Sequence, residues 1–230
     1  RMSGETLPEH LLNEQGSPLN QAICMLRHSY RFSTQPGIGA LATLTNSGQA
    51  SAQSVVNTIS AHPESLALLQ TDGSSMAALE QHAVRGYGHY LKTLKEQTPN
   101  NDCDDARAEW ADAVFNAYNS FQLLAAVRKG PYGVDSLNPL ITRALQRKSL
   151  LPDTESHWYH GRPVMVTRND YSLKLMNGDI GLCMQWPDGS LRVAFQNEQG
   201  SIRWVLPSRL QDVETVFAMT VHKSQGSEFT

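Results

Sequence analysis

Apolar positions follow one rhythm in the first half of this chain and another in the second. Met76, Leu79, Ala83, Tyr87, Leu91 and Leu94 recur every three or four residues, which predicts one face of a helix. Gly86 and Gly88 lie inside that stretch and cost about 1 kcal/mol each relative to Ala unless packing requires them. A polar break, TPNNDCDD, follows. Asp102, Asp104 and Asp105 then stand where a helix N-terminus favours negative charge. Ala106, Trp110, Val114, Ala117 and Phe121 resume the stripe. Upstream, Gly37 to His62 predicts short helices interrupted by Asn46-Ser47-Gly48. Leu19 to Leu26 predicts a lone apolar helix in a stretch punctuated by Pro8, Gly16, Pro18 and Pro36. The first half is expected to be mostly helical.

The texture changes near Gln122. LLAAV, bounded by Arg128-Lys129-Gly130-Pro131, predicts a buried strand leaving a core. Residues 136–150 predict an amphipathic helix with Leu137, Ile141 and Leu145 on one face, and Asn138-Pro139 near its start fits a helix beginning. Pro163 to Thr167 predicts a second strand, so the order strand–helix–strand suggests a parallel α/β unit. From Arg168 to about Asp212 the pattern is all β. Gly178 to Trp186 is one strand, Leu191, Val193 and Phe195 alternate, and Ile202, Trp204 and Leu206 alternate again. Short strands every eight to twelve residues suggest a small barrel of about 45 residues that leans on its host. Val216 to Val221 predicts a further buried strand, ending in HKSQGSEFT.

Composition narrows the class. The 230 residues suffice for a sizeable core, and 40% hydrophobic with 18% charged residues excludes a disordered or collagen-like chain. No apolar run approaches the roughly 18 residues of a membrane span, and RMSGETLPEH is no signal region. Cys24, Cys103 and Cys183 form no CxxC pair and predict buried structural thiols in a reducing compartment. Eight scattered histidines predict no metal site. Residues 1–120 carry 7 basic and 12 acidic side chains, net −5, and residues 121–230 carry 12 and 10, net +2. Any nucleic acid must therefore follow a local track, better sought in the second half.

Chemistry is concentrated in one segment. G-x-x-x-x-G-K-[ST] is absent, Gly37-x-Gly39 and Gly86-x-Gly88 lack the rest of a dinucleotide fingerprint, and no G-x-S-x-G elbow occurs. Thr220 to Phe229, TVHKSQGSEF, is different. A strand delivers Thr220 to its end; His222 and Lys223 offer cationic or hydrogen-bonding groups, and Ser224, Gln225 and Ser227 short polar ones. Gly226 permits close backbone approach to a ligand, and Glu228 suits a sugar hydroxyl or a water. Strand-end loops are where open α/β sheets bind ligands; a polar surface turn is the plain alternative.

TVHKSQGSEF resembles motif V of superfamily 1 DNA helicases, in the form found in the branch that includes RecD, the α subunit of exodeoxyribonuclease V. Three further segments agree in order: SYRF at Ser29–Phe32, RKGPYGVDSLN at Arg128–Asn138, and GRPVMVTRND with LMNGDIG between Gly161 and Gly181. The resemblance implies a RecA-like (P-loop NTPase-type) second motor domain, α/β, with an inserted small SH3-like β-barrel and a helical N-terminal half. Residues 1–32 would be a connector from a first motor that precedes Arg1. Residues 33–167 and 213–230 would form the truncated second motor, and residues 168–212 the SH3-like insertion. The parent would be an ATP-dependent 5′–3′ DNA helicase of a cytoplasmic recombination and repair helicase-nuclease. Its partners would be RecB-like and RecC-like subunits and single-stranded DNA or duplex ends. ATP would lie between two motors, with Mg2+ held mainly by the first.

Residue by residue, the resemblance implies that Arg31 stabilises the transferred phosphoryl group, as arginine fingers do, with Gly226 and Glu228 on the nucleotide side. Thr220, His222, Lys223 and Ser224 would touch DNA phosphates or relay between DNA and ATP. Arg128, Lys129 and Gly130 would supply a second phosphate contact, against which stands a solvated loop. Trp186 and Trp204 are stacking platforms or barrel core; Gly161-Arg162-Pro163 reads as a strand start. A stand-alone RecD-like or conjugative relaxase-type helicase shares the motif. Outside the enzyme class stand a non-catalytic scaffold and a single-strand-binding module built on the barrel.

Overall fold

The computed structural model describes residues 36–69, 76–99, 103–153, 155–197 and 199–224. The chain divides into two units, residues 1–69 and residues 70–230. In the first, α1 (Pro36–Asn46) and α2 (Ala52–Ala61) are separated at Asn46-Ser47-Gly48, as the sequence predicts. Gly48 takes φ +70°, a conformation that ends a helix cheaply only at glycine. Ser51 and Ser54 then start α2 by a reciprocal cap: Ser54 N donates to Ser51 Oγ at 3.1 Å and Ser51 N donates to Ser54 Oγ at 2.8 Å.

In the second unit, α3 (Ala77–Glu96), α4 (Asp104–Asn119) and α5 (Val134–Arg147) enclose one apolar core. The stripe read from the sequence is the buried one: Ala83, Tyr87, Leu91 and Leu94 on α3, Trp110, Val114 and Ala117 on α4, and Leu137, Ile141 and Leu145 on α5. The two glycines of α3 differ. A Cβ at Gly86 would lie 2.4 Å from the Phe121 ring, whereas one at Gly88 would meet nothing within 4 Å.

Two short strands, β1 (Leu123–Ala125) and β7 (Ala218–Thr220), pair in parallel with Leu123 opposite Ala218 and Ala125 opposite Thr220. Two strands alone are marginal in water, and three helices hold this pair. Tyr118 of α4 donates to the carbonyl of Val216 at 2.6 Å, and Tyr87 of α3 donates to the carbonyl of Phe217. Asn138 of α5 accepts from Ala218 N at 2.8 Å and donates to Ala218 O at 3.0 Å. Burial pushes both phenols far above the ordinary tyrosine range, so they stay protonated donors.

Between α5 and β7 the chain builds an antiparallel sheet from β2 (Pro163–Val166), β3 (Ile180–Gln185), β4 (Leu191–Gln196), β5 (Ile202–Val205) and β6 (Val213–Thr215). The strand order is β5-β4-β3-β2-β6. Both its faces are covered. Leu182, Met184 and Ala194 join the helical core, while Cys183, Val193, Phe195 and Val205 line the sheet's own smaller core.

Several expectations change. Pro163–Val166 is not the parallel partner of β1; it pairs antiparallel with β3 and β6, and β7 takes the parallel position. The antiparallel sheet therefore extends past 168–212 at both ends. It is also open rather than a closed barrel: β5 and β6 are its two edges, joined through a 3-10 turn at Pro207–Arg209. Its core is completed by Leu173, Leu175 and Leu210, not by a closing ladder. β1 buries only Ala125, with Leu124 exposed. Cys183 is buried, its thiol pushed up to about 12 chiefly by desolvation, but Cys103 is exposed. Cys24, the helix expected at Leu19–Leu26 and the connector 1–32 lie outside the described residues.

Two outcomes follow from this packing. Gly86→Ala should destabilise the protein by about 1–3 kcal/mol, because overpacking against Phe121 outweighs the helix propensity gained, while Gly88→Ala should stabilise it by about 0.5–1 kcal/mol; urea denaturation midpoints measure both signs. Asn138→Leu should cost about 2–5 kcal/mol in the same assay, since it strands the N–H and the C=O of buried Ala218. An unchanged midpoint would show that Asn138 does not hold Ala218 in place.

Candidate functional site

Because β1 and β7 run parallel, the loops that leave them, 126–133 and 221–224, emerge at one sheet edge. The carboxyl edge of parallel strands is where α/β proteins place ligands. The first loop is closed by its own backbone. Gly133 N donates to Gly130 O at 3.0 Å and Asp135 N donates to Arg128 O at 3.1 Å, which carries the chain into α5. Gly130 takes φ +99°. A Cβ at Gly133 would lie 2.4 Å from the carbonyl oxygen of Arg128. Both glycines of GPYG are thus required by the turn itself.

The second loop begins at half-buried Thr220, whose carbonyl accepts from Lys223 N at 2.9 Å and Ser224 N at 3.3 Å. Val221 N donates to Ala125 O at 3.0 Å, extending the parallel ladder to the loop base. Ser224 Oγ donates to Val221 O at 2.8 Å. Lys223 Nζ reaches Asn177 Oδ1 at 2.6 Å, and Asn177 N donates to Asn169 Oδ1 at 2.8 Å. The ammonium therefore ties the loop to the turn that precedes β3.

Charge at this edge is partly committed. Arg128 Nη2 lies 2.7 Å from Glu214 Oε2 and its Nε 3.3 Å from Asp135 Oδ1. The hydrogen bond to Glu214, and then the Glu214 charge, raise the guanidinium's pKa above its ordinary value. A phosphate at Arg128 would compete with two carboxylates. Lys129 and His222 are exposed and have no ion-pair partner among the described residues. Backbone and cationic groups of this kind position a phosphodiester strand without reading its sequence.

The structure thus brings Arg128, Lys129 and Gly130 to the same edge as Thr220, His222, Lys223 and Ser224. Arg31, Gly226 and Glu228 lie outside the described residues. Trp186 is occupied: the guanidinium carbon of Arg107 lies 3.9 Å and that of Arg192 4.9 Å from its ring centroid, with Trp204 edge-on at 5.7 Å. Trp204 packs against the helical core. Sequence reasoning missed the groups that position the edge, namely Tyr87, Tyr118, Asn138 and Glu214. Asn138 carried a signal: it is a polar residue beside Leu137 and Ile141 on the buried face of a helix.

No protein-family model matches the chain. Its sequence is 34% identical over 220 residues to the RecBCD enzyme subunit RecD of Haemophilus influenzae, a match that covers 93% of this chain and 33% of that protein. The RecBCD enzyme subunit RecD of Mycolicibacterium smegmatis is 35% identical over 211 residues, 91% of this chain and 33% of its own. The ATP-dependent RecD2 DNA helicase of Deinococcus radiodurans is 30% identical over 109 residues, 47% of this chain and 15% of its own. Among solved structures, Bacteroides Pif1 bound to ssDNA covers 70% of this chain with 42% of its own at 15% identity and a TM-score of 0.28, too slight a likeness to carry an argument. The chain spans about a third of the length of the curated relatives it matches. Over about nine-tenths of its own residues, the chain matches a RecD-type segment.

Proposed function

We propose that this chain is the second, RecA-like motor domain of an ATP-dependent 5′–3′ DNA helicase subunit of the RecBCD (exodeoxyribonuclease V) type. The antiparallel sheet would be its insertion. The observation that carries this reading is the convergence of the 126–133 and 221–224 loops at one carboxyl sheet edge. Lys129 and Lys223 bring cations to a single-stranded DNA backbone there, and His222, Thr220, Ser224 and the turn at Gly130 add further donors. Lys223 also joins the strand-contacting edge to the insertion through Asn177.

Arg31, Gly226 and Glu228 would line one wall of an ATP cleft whose other wall is a first motor. Among the described residues no grouping of His, Cys, Asp and Glu is able to hold a metal ion. Mg2+ would be held mainly by the first motor. RecB-like and RecC-like subunits would be the partners, and the cytoplasm the location; no described helix is long and apolar enough to cross a membrane.

The test is made in the full-length protein. Arg31→Ala should lower steady-state ATP turnover by orders of magnitude while leaving nucleotide binding in place, because the arginine acts in the transition state. Replacing His222 and Lys223 together with Ala should weaken single-strand binding and shrink its salt slope by about 0.7 for every phosphate no longer neutralised. Normal turnover by the first variant would remove Arg31 from the site, and an unchanged slope in the second would move DNA off this edge. The 230-residue chain by itself should show no DNA-stimulated ATPase, since phosphoryl transfer needs a phosphate loop that its sequence lacks.

A further inference from the structure

A cleft of about 510 Å³ lies along α5 and is lined by none of the residues of the β1 and β7 loops. At its wall is Arg162, the residue before β2, which is 3% exposed. Its Nε donates to Thr215 Oγ1 at 2.9 Å and its Nη1 to the carbonyl of His157 at 2.9 Å. The guanidinium carbon stands 4.7 Å from the Trp158 ring centroid. No carboxylate pairs with it, and Nη2 has no hydrogen-bond partner, among the described residues. The contrast is Arg107, the other buried arginine, whose Nη1 lies 3.0 Å from Asp104 Oδ1. A buried cation left without an anion is costly, and Arg162 is held in that position by the sheet. Gly161 N donates to Cys183 O at 2.8 Å and Cys183 N donates to Arg162 O at 2.9 Å. Gly161 itself takes φ +86°.

The remaining lining gives the cleft its sign. Arg143, His157, Thr142 and Tyr159 share it with Arg162, and Glu155 is its one carboxylate. We infer that this cleft binds a phosphate group, with Arg162 as the buried anchor and Arg143 and His157 completing the cationic shell. Two guanidinium groups, an imidazole and the Tyr159 hydroxyl offer more donors than the two oxygens of a carboxylate accept, and they suit the several oxygens of a phosphate; the Thr142 hydroxyl is already given to Asn138 O at 2.9 Å. The field already acts on His157. Arg162 first, and burial second, lower its pKa, and an anion seated between them reverses that effect. The titratable groups that line the cleft with His157 are Arg162, Arg143, Tyr159 and Glu155. This inference does not depend on the motor reading, because it needs only the cleft.

Inorganic phosphate titrated into the whole chain, with chloride at equal ionic strength as the reference, should bind at roughly millimolar affinity and raise the pH at which His157 titrates by NMR. Arg143→Gln, on an exposed part of α5, should weaken phosphate several-fold without changing the thermal midpoint in phosphate-free buffer. Arg162→Gln should abolish binding; if that variant does not fold, Arg143→Gln and the His157 titration decide. A short oligothymidylate that displaces phosphate identifies a backbone phosphodiester as the occupant, and one that does not identifies a free phosphate; both support the site. Absence of phosphate binding, or equal binding by wild type and Arg143→Gln, overturns it.

Discussion

Three consecutive backbone positions, Val216 to Ala218, are gripped by three helices, and the parallel pair depends on that grip. Tyr118, Tyr87 and Asn138 each satisfy main-chain groups that a wider sheet would otherwise satisfy with another strand. Asn138 presents a donor and an acceptor to the N–H and C=O of one residue, as a neighbouring strand does. Buried backbone groups must be paired, so the phenols and the amide are what allow so short a β7 to lie in the core. The strand end, and therefore the 221–224 loop, is placed by side chains from α3, α4 and α5.

The antiparallel sheet is a structural part of the same unit. Its inner strands are buried on both faces, one against the helices and one against Leu173, Leu175 and Leu210. Arg107 over Trp186, and Gln196 donating to Asp112 at 3.1 Å, fasten the same sheet to α4. At its other end Glu214 holds Arg128, and Asn177 holds Lys223. The candidate edge and the sheet thus share two polar links, so a change in one is felt by the other.

These links also sort the basic side chains. Arg128 and Lys223 are engaged within the protein, whereas Lys129 and His222 face solvent. An exposed pair such as Arg128 with Glu214 contributes little to stability, about 0–1 kcal/mol. Its consequence is orientation: the guanidinium is aimed along the sheet edge and is exchanged for a phosphate only at the expense of its carboxylates. Arg162 is the opposite case, a buried guanidinium with hydroxyl, carbonyl and aromatic neighbours and no carboxylate.

Local pattern alone determined the helices and the β texture after Gln122, and it marked the polar strand-end segment from Thr220; the rest of the candidate edge was implied by the resemblance. Period and turn chemistry are properties of neighbouring residues. The stripe from Ala83 to Leu94 is buried as read, and Gly48 and Gly130 stand at positive φ where the sequence broke. Pairing was decided only in three dimensions. Pro163–Val166 reads as the next strand after a helix, yet it joins β3 and β6, and β1 waits for a partner beyond the whole antiparallel sheet. Closure was decided there too, since alternating strands predict a barrel but do not say whether the last edge meets the first. The roles of Tyr87, Tyr118 and Asn138 were equally hidden. Each reads as ordinary helix interior, and becomes a clamp only because folding brings a main-chain segment 80 or more residues away within hydrogen-bond reach.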